Sequence, residues 1–433
     1  MDEAVKNVIY PEEIDFHVKS IRTFRISSIG RSSWLDNHEI LMKVHQQTIL
    51  EAKESREEIL KDSLILEGKI KVFVHNAYAI LIWRNKILPE LLKEGLQAPS
   101  TIVLYTIFFH EATLIGLLET LLFHPDACEA LEETSLDLID YSVQGIIRLI
   151  AIGQEGQEES TDEEEDREIE KHEKNLQFRI GLRCLSILSF LVDNLDRISL
   201  SAVGRLVEIH DTPCLLSEIL HLRPWMRSGK QSLEKFINDE WIPVAGDEIS
   251  RVTKPEAHAW FCLREILLNP RLFNSYEVNN FRQREISKCQ GLLNETLLDQ
   301  LPPLADLKHF LVTLAVSKDV GNQKEKKLLL EELPQIKDKL LAEISEEGLE
   351  KIVREQVEAI ASTDFKEIAG KLSKAFNLDA MEDLGQESPA KASTCKQCGI
   401  PATKKCSRCL SVNYCSKECQ VKNWKTHKIN CKK

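Results

Sequence analysis

The segment from Cys395 to Cys431 reads CKQCGIPATKKCSRCLSVNYCSKECQVKNWKTHKINC. Its metal-ligand residues follow the spacing C-x2-C-x7-C-x2-C-x5-C-x3-C-x7-H-x3-C. In order, they are Cys395, Cys398, Cys406, Cys409, Cys415, Cys419, His427 and Cys431. Eight thiolate and imidazole ligands fill two tetrahedral sites, which leaves no open coordination position for catalysis. The segment therefore predicts two structural zinc ions.

The ligand spacing also predicts local structure. The two Cys-x-x-Cys pairs suit tight knuckles. Cys415 and Cys419 stand four apart and share a helix face, and the last two ligands of the segment do the same. A disulfide framework is the alternative, but seven cysteines with one phased histidine fit it poorly. Because so short a segment has little apolar core, zinc must supply its folding free energy, about 10 kcal/mol or more per ion.

Every ligand and every interval of this segment resembles a MYND-type zinc finger. The resemblance implies that the two zinc sites interleave along the chain, a pairing that the spacing alone leaves open. It implies one zinc held by Cys395, Cys398, Cys415 and Cys419, and a second held by Cys406, Cys409, His427 and Cys431.

The same resemblance implies a groove for short proline-containing peptides. The family's groove positions are matched here by Ser407, Gln420 and Trp424. Gln420 and Trp424 stand four apart on the predicted helix, so an amide and an indole would lie side by side. The alternative is that Trp424 packs against a zinc knuckle instead.

The finger is strongly basic within an acidic chain of net charge −13. Residues 395–433 hold one acidic residue, Glu418, and ten basic residues. These are Lys396, Lys404, Lys405, Arg408, Lys417, Lys422, Lys425, Lys428, Lys432 and Lys433. Nucleic-acid binding is one interpretation, but the charges are scattered and no run of base-reading Arg and Asn accompanies them. We therefore predict a protein partner and no nucleic acid.

The rest of the chain is rich in Leu and Ile, poor in Gly and Pro, and predicts an all-α body. Apolar residues recur at helical spacing from Lys71 to Leu92 and from Thr101 to Phe123, which predicts two buried helices. Further helices are predicted over 128–152, 175–192, 213–222, 257–268, 304–316 and, with breaks, 326–376. Either a HEAT- or armadillo-like helical repeat or a compact bundle accounts for this pattern.

Two linkers punctuate this body. We predict a helical region over 1–153, an acidic flexible linker over 154–174, a second helical region over 175–377, a linker over 378–394 and the finger over 395–431. The first linker is defined by its run of acidic residues, and the second by Gly385, Ser388, Pro389 and Ser393.

Catalytic and membrane signals are weak. His110-Glu111 begins like H-E-x-x-H, but position 114 is Leu, so a helix-surface dyad is predicted instead. Cysteines at irregular spacing among apolar residues predict reduced core thiols; they are Cys128, Cys184, Cys214, Cys262 and Cys289. His110, Glu111 and Glu119 interrupt the most apolar stretch, and residues 1–10 show no signal-peptide core. We expect an intracellular protein that is neither an enzyme nor inserted in a membrane.

The body carries a second resemblance. Its stretches LETLLFH at 118–124, LDLIDY at 136–141, LLSEIL at 215–220, PW at 224–225 and TLLDQLP at 296–302 resemble a family of MYND-finger proteins that act in axonemal dynein arm preassembly. The resemblance implies a cytoplasmic adaptor for cells with motile cilia, enriched near centrosomes, centriolar satellites or the apical region. It implies chaperones and other assembly factors as partners and dynein chains as clients. The alternative is a nuclear co-repressor adaptor, although Lys324 to Lys327 is too short a basic run for a strong nuclear signal.

Overall fold

The computed structural model describes residues 7–94, 101–155, 165–229, 232–316 and 332–361 of the body and, in the finger, 396, 404–406, 412–414 and 416–430. The chain divides into two compact units, Met1–Ala375 and Phe376–Lys433. This division falls close to the predicted end of the body at 377. The first predicted helical region lies within the first unit, and the second extends two residues beyond it.

The prediction of a helical body with a small finger is confirmed. The helices of the body are α1 Pro11–Ser20, α2 Ser32–Lys53, α3 Ile59–Leu66, α4 Lys69–Lys86, α5 Leu88–Lys93, α6 Thr101–Leu122, α7 Pro125–Glu129, α8 Thr134–Glu155, α9 Glu165–Asp193, α10 Ala202–Gly204, α11 Thr212–Leu222, α12 Lys254–Leu268, α13 Pro270–Phe273, α14 Asn280–Ser287, α15 Glu295–Gln300, α16 Leu304–Val316, α17 Ile336–Glu347 and α18 Leu349–Ala361. A π-helix, Arg205–Ile209, links α10 to α11, and short 3-10 helices occupy Ile26–Ser28, Gly246–Ser250 and Lys288–Leu292.

Helices α6 and α9 lie in the core of the body, and burial was predicted for α6 but not for α9. Ile102–Leu122 and Glu170–Asp193 are long and apolar enough to cross a membrane, yet 78% of the apolar window in each is buried inside the body. Helices α8 and α9 approach closely where Gly145 faces Gly181. A Cβ atom on Gly181 would lie 2.7 Å from the Leu149 Cβ atom and 2.9 Å from the Gly145 carbonyl oxygen. Glycine is therefore required for this packing.

A three-stranded antiparallel sheet within the body was not predicted. Its strands are β1 Met226–Ser228, β2 Leu233–Ile237 and β3 Glu240–Val244, in the order β1-β2-β3. Asn238 and Asp239 both have positive φ, 50° and 62°, which suits the two-residue turn between β2 and β3. Lys235 is buried and donates hydrogen bonds to the carbonyls of Glu248 and Arg251, at 3.1 and 2.6 Å. The sheet is therefore tied to the loop that follows it.

Much of the predicted acidic linker, 154–174, is helical. Helix α8 continues to Glu155 and α9 begins at Glu165, so 165–174 is helical. Acidic residues are favourable in the first turns of a helix, where they face the positive end of its dipole, and the apolar half of α9 anchors the helix in the core. Residues 156–164 and the predicted linker 378–394 lie outside the described residues.

The last two helices that the structure describes in the body, α17 and α18, pack against its N-terminal part. The Trp83 indole donates a hydrogen bond to the Gln356 Oε1 atom at 2.8 Å, and Gln356 Nε2 donates to the Ile26 carbonyl at 2.9 Å. These bonds join residues 273 and 330 positions apart. In a solenoid each repeat contacts only its neighbours. The long-range bonds favour a closed bundle over the open helical repeat that we also considered.

Candidate metal centre and peptide groove

Three of the eight predicted zinc ligands have described side chains: Cys406, Cys419 and His427. The other five lie outside the described residues, as does Ser407 of the predicted groove; the five are Cys395, Cys398, Cys409, Cys415 and Cys431. Within the part that is described, no group of three His, Cys, Asp or Glu side chains forms a metal site. The zinc prediction is therefore judged on the surroundings of the three ligands.

A short hairpin positions the first of these ligands. Strand β4, Lys404–Lys405, pairs antiparallel with β5, Asn413–Tyr414. The Cys406 amide donates a hydrogen bond to the Val412 carbonyl at 2.8 Å, which closes the hairpin next to the cysteine. Cys406 is 0% exposed and Tyr414 is 1% exposed. This thiol is thus held inside the finger beside an aromatic ring.

The predicted helix carries the other two ligands. Helix α19, Lys417–Asn430, follows Ser416, whose Oγ atom accepts a hydrogen bond from the Cys419 amide at 3.3 Å. This bond caps the helix N-terminus. His427 is 9% exposed, and its ring centroid lies 6.1 Å from that of Tyr414. A buried thiol and a buried imidazole around one small core are donors of the kind that zinc binds, so the described residues fit this metal.

The surroundings of Trp424 fit both interpretations that the sequence left open, a place in the peptide groove and packing against a zinc knuckle. Its ring lies 5.9 Å from the His427 ring, and it packs against the small core of Cys406 and Tyr414. Gln420 and Trp424 are nonetheless only partly buried. One side of the indole thus supports the metal centre, while the residue keeps a surface that a partner can contact.

The sequence analysis did not single out Tyr414 or Asn423. The Tyr414 hydroxyl donates a hydrogen bond to the Asn423 Oδ1 atom at 2.9 Å, which ties β5 to α19. A signal was available, because Tyr414 is the one aromatic residue between the cysteine pairs of a segment with very few apolar side chains.

The prediction that His110 and Glu111 form a dyad on the surface of a helix is wrong. His110 is 1% exposed and Glu111 is 0% exposed, because α6 is surrounded by other helices. The Nδ1 atoms of His110 and His38 lie 2.8 Å apart, so one ring donates a hydrogen bond and the other accepts it. Burial lowers the pKa of His38 to about 3, which keeps this ring neutral.

Glu111 is fully engaged in a buried polar network. Its carboxylate forms an ion pair with Arg84 and accepts hydrogen bonds from the Tyr141 hydroxyl at 2.7 Å and from Gln177 Nε2 at 2.9 Å. These partners come from α4, α8 and α9, so the network joins four helices. Its role is structural, since the carboxylate is shielded from solvent and satisfied by its partners.

The predicted core thiols are buried, except that Cys214 is half-buried. Burial raises the pKa of Cys128 and Cys184 to about 12, and that of Cys214 and Cys289 to about 11. These thiols stay protonated at neutral pH, whereas a nucleophile or a zinc ligand must be a thiolate.

Comparison with known proteins agrees with this division into body and finger. The MYND finger family model matches residues 395–431, the span of the predicted finger. The zinc finger MYND domain-containing protein 10 homolog of Drosophila melanogaster is 39% identical over 452 residues, covering 99% of this chain and 99% of the relative. The chain belongs to the zinc finger MYND domain-containing protein 10 family. No solved structure matches it.

Two other relatives match little more than the finger of this chain. Ubiquitin carboxyl-terminal hydrolase 19 of Arabidopsis thaliana is 46% identical over 61 residues, 14% of this chain and 9% of the relative. SET domain-containing protein 14 of Caenorhabditis elegans is 50% identical over 42 residues, 9% of this chain and 10% of the relative. The finger therefore recurs beside different bodies. It is a zinc-binding interaction module, and family membership supports an adaptor.

Proposed function

We propose that this protein is a cytoplasmic adaptor in the preassembly of axonemal dynein arms. The observation that carries the proposal is the 39% identity that runs through body and finger alike to a member of the zinc finger MYND domain-containing protein 10 family. Dynein arm preassembly is what the resemblance of the body implies. In this scheme dynein chains are the clients, and chaperones and other assembly factors are the partners.

The two units have different tasks in this proposal. A body of many packed helices offers a large surface to a large client. The finger binds proline-containing partner segments through Ser407, Gln420 and Trp424, and two structural zinc ions hold it folded. The partners would thus be joined through one chain without any chemical reaction.

No enzymatic step belongs to the proposal. Among the described residues, Glu111 is buried in a satisfied network and the body thiols have raised pKa values. These are properties of a protein core, since a catalytic acid, base or nucleophile needs access to its substrate.

The test is rescue in multiciliated cells that lack the protein. Tagged full-length chain should restore outer and inner dynein arms and co-purify with dynein chains and chaperones from the cytoplasm. A chain ending at Ala375 is the matched variant, since this residue ends the first compact unit. We expect it to keep the client and to lose the finger's partners.

Predominantly nuclear full-length protein that co-purifies with transcriptional regulators would support the co-repressor alternative. Normal dynein arms in cells without the protein would contradict the proposal outright.

A further inference from the structure

The exposed side of α19 combines positive charge with apolar surface. Lys417, Val421 and Lys428 are exposed, Val421 to 65%, and Trp424 is partly exposed. At about 100° per residue, these four residues fall within roughly 60° of one another around the helix. We call these four residues the basic stripe. Lys422 is also exposed but lies on another side of α19.

Within the basic stripe, Trp424 also packs against the metal centre, whereas Lys417, Val421 and Lys428 are exposed. Cys419, Asn423 and His427 follow one another at four-residue intervals on a different side of α19, where they meet the hairpin of β4 and β5. A lysine or valine on the stripe is therefore not needed to hold zinc. An exposed valine between two lysines has no evident role in folding the finger.

The order of charged and apolar side chains along the basic stripe indicates the chemistry of its partner. Lys417 and Lys428 stand at its ends, about 16 Å apart along the helix axis at roughly 1.5 Å per residue. Val421 and Trp424 lie between them and present apolar surface. An extended peptide advances about 3.3 Å per residue, so about five residues span this distance.

We propose that the basic stripe selects partner segments in which carboxylates flank a short apolar or proline-containing core on both sides. The inference rests on the proposed peptide docking at Gln420 and Trp424 and adds to it the charge of the ligand. Charge complementarity supports it, because residues 395–433 carry ten basic residues and one acidic residue.

The test uses the zinc-loaded full chain and two fluorescent peptides. The acidic peptide is Glu-Glu-Ala-Pro-Leu-Pro-Ala-Glu-Glu, and the neutral peptide replaces each Glu with Gln. Fluorescence anisotropy should give about three- to ten-fold tighter binding of the acidic peptide at low salt, from two exposed ion pairs. The difference should shrink at 1 M salt, where the Debye length is about 3 Å.

Matched variants separate a directed stripe from general charge attraction. The double variant Lys417→Gln, Lys428→Gln should lose the preference for the acidic peptide and bind the neutral peptide as before. The control Lys396→Gln, Lys422→Gln removes the same charge from exposed sites off the stripe and should keep the preference. Zinc content should equal that of the unchanged chain in all variants.

Four outcomes would overturn the inference. One outcome is that the unchanged chain binds both peptides equally and that Trp424→Ala loses this binding. The docking groove would then stand, but the basic stripe would not select for charge. If the control variant Lys396→Gln, Lys422→Gln lost the preference for the acidic peptide equally, the preference would come from the overall positive charge of the finger. A single-stranded oligonucleotide that binds more tightly through Lys417 and Lys428 would assign the stripe to phosphates. Binding of neither peptide would contradict the docking groove itself.

Discussion

The body and the finger obtain their stability from different sources. The body buries a continuous apolar core, inside which Glu111 pairs with Arg84 and Lys235 donates hydrogen bonds to backbone carbonyls. The described part of the finger has only Cys406 and Tyr414 in its buried apolar core. The body can fold by the hydrophobic effect, whereas the finger must use metal bonds. The two units of one chain should therefore fail under different treatments.

Removing zinc should have the largest effect and should be confined to the finger. A chelator, or Cys406→Ala, should unfold it, since each structural zinc contributes about 10 kcal/mol or more. Far-UV circular dichroism should retain most of the helical signal, and elemental analysis should give two zinc ions per unchanged chain. Cys214→Ala is the control, because this half-buried thiol belongs to the body. Loss of helicity throughout the chain would show that the two units fold together.

Breaking the buried ion pair should damage the body alone. Glu111→Ala removes the buried carboxylate partner of the Arg84 guanidinium and leaves it only Glu173, 3.4 Å away, which should lower the free energy of unfolding by up to about 3 to 5 kcal/mol. Urea unfolding measures this loss, and zinc content should not change. Asp15→Ala removes the exposed pair with Lys19 and should lower the free energy of unfolding far less, because solvent screens this pair. Similar effects of the two variants would mean that burial does not decide the strength of these pairs.

Trp424→Ala should separate binding from folding within the finger. We expect affinity for a proline-containing peptide to fall by about 1 to 3 kcal/mol, the range for an aromatic hot spot. Zinc stoichiometry should remain two, measured on the same preparation. If Trp424 instead mainly supports His427, zinc affinity would fall together with peptide affinity.

Acid should weaken the body through its buried histidines. The folded-state pKa of His38 is about 3, below the usual 6.5, so the unfolded chain binds more protons between these values. Stability should be complete above pH 6.5 and fall as the pH decreases, by about 1 to 2 kcal/mol at pH 5.5 for one such histidine.

Thermal unfolding between pH 7 and pH 5 tests this decline. His38→Gln should flatten it only in part, because burial also lowers the pKa of His45 to about 3 and that of His258 to about 4. An unchanged slope in His38→Gln would assign the acid sensitivity to other groups.

Local pattern gave good predictions for the long apolar helices of the body. Helix α6 was predicted over 101–123 and spans Thr101–Leu122, and α16 matches its predicted span, 304–316. The sheet was missed although its alternation and its Asn238-Asp239 turn are local. The strands are short and lie between long segments of helical pattern, and strand propensity depends strongly on tertiary context.

The sequence by itself determined the finger and the helical class of the body. Ligand identity and spacing specify a zinc site because a tetrahedral ion accepts few donor sets, and apolar periodicity specifies a helix. Only the tertiary structure decided that His110 and Glu111 are buried, that α9 begins inside the acidic run, and that Gln356 closes the body onto Ile26. The partners in such contacts are up to 330 residues apart, and no local pattern shows which distant helix will cover a given face.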